Sequence, residues 1–181
     1  MNYTLPHTIH NPVGERVVFQ KIEKTPQGDR ISGECFCQPG SGPVMHNHLK
    51  QEEGLTVVSG KMGYQVLGEP VKYALPGETV VFAPGTAHKF WAEGGPLHCK
   101  SWIQPANTIL FFLSSIFAAQ NKTGTEKPEL FDAAFLLKRY KSEYELVDIP
   151  PFVKKVVMPL TYYTGKLLGK YKHFKNAPEP V

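Results

Sequence analysis

GSGPVMHNHLKQEEGLTVVSG, residues 40–60, decides how the rest of the chain is read. In an extended strand, side chains two positions apart point the same way. His46 and His48 therefore present two imidazoles on one face, as chelation requires. Glu53 follows five residues after His48, an odd offset that places it on the opposite face of any single continuous strand. A turn or bulge around residues 50–52 must re-aim the chain, so that a hairpin partner returns the carboxylate to the same point. Glu52 competes with Glu53 for that place.

Working outward, GETVVFAPGTAHKFW at 77–91 supplies a third imidazole. Gly77 opens a strand, Pro84-Gly85 makes a tight turn, and His88 begins the strand after it. The same texture, short β-prone runs cut by turn residues, extends from 14 to about 104. Strands are expected at 16–24, 30–38, 44–49, 54–59, 61–67, 71–74, 79–82, 88–92 and 97–104. Strands this short and closely spaced favour a barrel or a double-sheet jelly roll, because closure removes exposed edges.

Together the two stretches resemble the two signature motifs of the cupin superfamily. The first motif runs glycine, five residues, His-x-His, three or four residues, Glu, six residues, glycine; Gly40, His46, His48, Glu53 and Gly60 match it, and the spacing to Gly60 selects Glu53 over Glu52. The second is met by Gly77, Gly85 and His88, with Ala83 where a proline is usual and Ala92 where an asparagine is. Neither departure touches a ligand position. The resemblance implies an all-β fold, a cupin double-stranded β-helix (jelly-roll) barrel over residues 1–105, followed by a C-terminal α-helical extension, 106–181, that is not an independent domain. It also implies that His46, His48, Glu53 and His88 hold one divalent transition metal. Three imidazoles and a carboxylate suit iron, manganese, nickel, copper, cobalt or zinc, and the sequence does not choose among them.

The same ligand set serves several chemistries, so fold alone assigns none. A small-molecule substrate and a dioxygenase-type reaction form the leading expectation. A non-catalytic small-molecule-binding or sensor protein and a metal-dependent isomerase or epimerase are the alternatives, and no catalytic residue beyond the metal ligands is evident. Phe90, two positions after His88, is the best candidate for a ligand cavity; Tyr64, Phe36, Phe82 and Trp102 are further aromatic candidates, and Glu52 is the nearest extra acid. His7, His10, His98 and His173 read as structural or surface residues.

The remaining features bound the setting. A formal charge of +4 is too small to imply a nucleic-acid partner. Cys35, Cys37 and Cys99 make an odd count, which argues for free thiols rather than a disulfide framework. The opening MNYTLPHTIHNPVGERVVFQ lacks the basic-then-apolar run of a secretory signal, so a cytoplasmic address is expected. Beyond Pro105, helices are expected at 107–120, capped by Asn107, and at 129–140. Between Asp148 and Glu179 lie six lysines and no acid, with Pro159, Gly165 and Gly169 expected to interrupt or kink any helix. That tail reads as a solvated face packed on the barrel or on a second subunit, anionic lipid being the sharper alternative. A homodimer is expected from the resemblance.

Overall fold

Alternation of buried and exposed residues writes the barrel strand by strand. The computed structural model describes residues 3–181. Its strands are β1 (His7–His10), β2 (Glu15–Glu23), β3 (Arg30–Cys37), β4 (His46–His48), β5 (Glu52–Ser59), β6 (Met62–Val66), β7 (Lys72–Ala74), β8 (Thr79–Phe82), β9 (His88–Ala92), β10 (Leu97–Gln104) and β11 (Tyr144–Leu146). They form two facing antiparallel sheets, β1-β2-β3-β10-β5-β8 and β11-β4-β9-β6-β7. Strand β3 is the clearest case: Ile31, Gly33, Cys35 and Cys37 turn inward, while Ser32, Glu34 and Phe36 turn outward.

The inward set builds two cores. Cys35, Leu55, Val57, Met62, Phe82, Phe90 and Cys99 fill the space between the sheets. Full burial of each of the larger apolar side chains is worth roughly 1.5–3 kcal/mol. The three cysteines are free and buried, as their odd count suggested. At one end of the barrel, inward residues Phe19, Ile31 and Ile103 join Phe112, Tyr140 and Tyr144 in a second cluster. The helices thus share a core with the barrel rather than hanging from it.

Two strands escaped the sequence reading. β1 is four residues long and pairs with β2 from His7↔Phe19 to His10↔Arg16. β11 is three residues long and lies beyond two helices, yet it pairs with the histidine strand β4, Tyr144 opposite His48 and Leu146 opposite His46. Strands this short carry too few residues for alternation to show.

The helices α1 (Ile109–Thr123) and α2 (Leu130–Arg139) lie near the expected positions. The cap of α1 differs: Asn107 has φ 43 and Thr108 takes the N-cap position. Thr108 makes no side-chain cap bond; its hydroxyl donates to Glu143 Oε2 at 3.0 Å. Glu129 caps α2 by accepting the Asp132 N–H at 2.9 Å, and Lys138 and Arg139 in the last turn complement the helix dipole. The interruptions expected in the C-terminal segment are met in part: a π turn precedes Pro159 and the helix stops before Gly169, at φ 66, whereas Gly165 lies within it. A π-helical turn at Val153–Val157 runs directly into α3 (Met158–Leu167), so the helical path continues through Pro159 at the start of α3. Among the described residues no helix is long and apolar enough to cross a membrane.

One buried polar network locks these parts together. Glu143 is fully buried, and its Oε2 accepts from the Thr108 hydroxyl and N–H, from Gln51 Nε2 at 3.1 Å and from the Tyr144 hydroxyl at 3.3 Å. Its Oε1 accepts the Val181 N–H at 3.0 Å, and its own carbonyl accepts the Leu49 N–H at 2.8 Å. One side chain therefore ties the start of α1, the turn before β5 and the last residue to the strand beside β4.

Candidate metal centre

The four singled-out residues are delivered by three strands of this topology. His46 and His48 come from β4 and His88 from β9, His46 and His88 being register partners. Glu53 lies on β5, in the facing sheet. The carboxylate is therefore not supplied by a hairpin partner of β4, as expected, but from across the barrel. Residues 49–51 carry the chain from one sheet to the other, which resolves the odd spacing between His48 and Glu53.

The side chains converge. One ligand-capable atom from each of His46, His48, Glu53 and His88 lies within 4.8 Å of all the others. Glu53 Oε2 stands 3.0 Å from His88 Nε2, 3.3 Å from His48 Nε2 and 3.9 Å from His46 Nε2, and the His46 and His48 Nε2 atoms are 3.1 Å apart. The outer nitrogens explain the aim. His46 Nδ1 lies 2.8 Å from the Val44 carbonyl and His88 Nδ1 2.8 Å from the Thr86 carbonyl, contacts that turn both Nε2 atoms toward Glu53. His88 is further fixed by Phe82, whose ring stacks on the imidazole at 3.8 Å and 7°. His48 packs edge-on against Tyr144, and its Nδ1 is buried with no protein acceptor.

Electrostatics favour a cation there. Burial pushes the His48 imidazole toward its neutral, ligating form. Burial also opposes ionisation of Glu53, yet hydrogen bonds from the three imidazoles outweigh it and hold the carboxyl well below its usual range. Three imidazole nitrogens set against one buried carboxylate fit a divalent ion of borderline softness, so the cluster could hold a metal.

The pocket candidates divide by strand parity. Tyr64 and Phe90 are register partners on β6 and β9, and with Phe82 they share the interior with the four converging residues. Phe36 and Trp102 do not: Phe36 stacks on His98 at 4.3 Å under the Arg16 guanidinium, and Trp102 covers Gly54 beneath Arg30, all on the outer face of the six-stranded sheet. Glu52, one position from inward Glu53 and paired with Gln104, faces away from the cluster. His173 pairs with Asp132 at 2.9 Å, which supports its structural reading.

Residues 34–103 match the cupin domain family model. The chain contains a cupin domain. Among solved structures, an RmlC-like cupin from Shewanella frigidimarina shares the architecture, with a TM-score of 0.50, 14% identity, and 59% of this chain against 89% of that one. KdgF from Halomonas sp. is similar at TM-score 0.43 and 22% identity, over 51% of this chain and 81% of that one. The DMSP lyase DddQ from Ruegeria pomeroyi is similar at TM-score 0.38 and 19% identity over 41% of this chain. This chain spans only 37% of that lyase's length. No curated protein matches the sequence.

One buried acid was not legible in advance. Glu15 opens β2, opposite inward Cys37, and accepts from Asn11 Nδ2 at 2.9 Å. Burial pushes its carboxyl up to about 7, against a pull downward from Asn11 and from the His46 charge. The folded protein therefore holds this proton more tightly than the unfolded chain. The associated stability is full below about pH 4.5 and is lost as pH rises through 7. A difference of about 2.5 units corresponds to ~3 kcal/mol. Glu15→Gln should accordingly be more stable than the parent at pH 8 and equal to it at pH 4.5, as read by urea melts of metal-free protein. An equal difference at both pH values would contradict the assignment.

Proposed function

We propose that this cupin is a metal-dependent enzyme acting on a small organic molecule, with His46, His48, Glu53 and His88 as the ligands of one divalent transition ion. The observation that carries the reading is the convergence of three Nε2 atoms and Glu53 Oε2, with two of the imidazoles aimed by backbone carbonyls. A bound ion would supply a Lewis-acid centre that polarises substrate or dioxygen. The protein supplies the setting: Phe82, Phe90 and Tyr64 share the interior with the four ligands, an apolar surrounding that would suit an aromatic or hydrophobic substrate. His46 is the most exposed of the three imidazoles, so substrate would approach from its side.

That apolar lining supports oxygenase-type chemistry, in which the ion rather than a side chain does the activating. Oxygen uptake, measured for protein reconstituted with each candidate metal against catechols, thiols and flavonoids, tests it. No uptake with any pair would discard the oxygenase reading for those substrates. A second reading, proton transfer as in an isomerase, draws on Glu15, a buried acid held near neutrality and close enough to feel a charge on His46. It predicts turnover without oxygen that is lost in Glu15→Gln. Saturable binding without turnover would instead indicate a sensor. We read residues 106–181 as a fixed part of the same domain in a cytoplasmic homodimer, for which light scattering should give twice the chain mass.

A further inference from the structure

The π turn and α3 form one continuous helical segment whose two sides differ sharply. Its inner side packs on α2: Gly165 is buried against Phe131 and Tyr171, and the Tyr162 ring stacks at 5.5 Å on Tyr171 and at 6.4 Å on Phe135. Its outer side is open among the described residues, apart from the Lys138 ammonium 5.9 Å from the Tyr163 ring. Phe152, Val156, Leu160, Tyr163 and Leu167 recur at intervals of four, four, three and four, which places them in one stripe along the helix. Their exposures are large for apolar side chains, 67% for Phe152, 66% for Leu160 and 88% for Leu167. Single exposed leucines need no explanation, whereas a contiguous apolar stripe of this kind marks a contact surface.

The charge beside the stripe names the partner. Lys155 and Lys166 each precede a stripe residue by one position, about 100° round the helix, so both ammonium groups flank the same edge. Both are exposed, as are Lys170, Lys172 and Lys175 immediately beyond. No acid interrupts residues 149–178, and Lys154 is already satisfied by Glu145 at 2.9 Å. A second copy docked stripe to stripe would bring these lysines against their own equivalents. A layer that is apolar inside and negatively charged at its surface accepts both features together: the stripe sinks among acyl chains while the lysines reach back to the phosphates. We propose that this face docks the protein on an anionic membrane surface, lying in the interface without crossing it. The proposal rests on residues apart from the metal cluster and stands or falls separately from the enzymatic reading.

Co-sedimentation of the full chain with vesicles tests it. Binding is expected to vesicles of phosphatidylcholine mixed with phosphatidylglycerol, to fall with added salt, and to be absent with phosphatidylcholine alone. The Leu160→Glu/Leu167→Glu variant, changed only at exposed positions, should keep the parent's thermal melt and lose at least tenfold in vesicle affinity. Lys155→Gln/Lys166→Gln should lose about fivefold per lysine. Failure to bind anionic vesicles, equal binding to neutral ones, or binding unchanged in the leucine variant would each overturn the proposal. So would a dimer in light scattering that the leucine variant dissociates, since the stripe would then belong to a second copy.

Discussion

Glu143→Ala is expected to destabilise the protein by about 3–5 kcal/mol, because it strips a fully buried network of its common acceptor. The Thr108 hydroxyl and Gln51 Nε2 would be left in the interior without this acceptor, and the N–H of exposed Val181 would lose its tie to the network. The consequence should reach the metal centre. β11 is paired to β4 along Tyr144↔His48, and the residue after His48 is held by the Glu143 carbonyl. Urea melts measure the first effect, and a weaker metal affinity in the folded variant measures the second. Loss of under 1 kcal/mol would mean that water replaces the carboxylate without penalty and that the helices contribute little to holding β4.

A second large effect is expected from chelation. An ion that binds the folded cluster and not the unfolded chain stabilises by mass action, about 4 kcal/mol when the free metal exceeds its dissociation constant a thousandfold. For a chain of this size that corresponds to a rise of roughly 8–16 °C in Tm. Removing metal with a chelator should lower Tm by about that amount, and restoring it should reverse the change. A His46→Ala/His88→Ala variant should melt at one temperature with or without chelator. If parent and variant respond alike, the stabilising ion lies elsewhere.

The strands of the barrel were legible in the sequence because they depend on local signals, and the four converging residues were named by the resemblance to the two motifs. Alternation over eight residues gives β3 its inward face, and glycine at a turn needs no tertiary contact to be read: Gly60, at φ 88, falls where a turn between β5 and β6 requires it. What escaped depends on distant pairing. β11 is three residues long and has meaning only beside β4, and Glu143 looks like any surface acid until five donors from four parts of the chain surround it. Phe36 and Trp102 were read as interior because they are aromatic. Their strand parity, fixed by Cys35 and Ile103 facing inward, puts them outside. The approach of Glu53 from the facing sheet rather than from a hairpin is of the same kind: spacing required a turn, and only the topology shows where the turn leads.

The most direct test of the central claim is elemental analysis of protein purified without an affinity tag or chelator, run beside the His46→Ala/His88→Ala variant. The account predicts close to one divalent transition ion per chain in the parent and none in the variant. A parent that stays metal-free after reconstitution with each candidate ion, or a variant that keeps its metal, would contradict it.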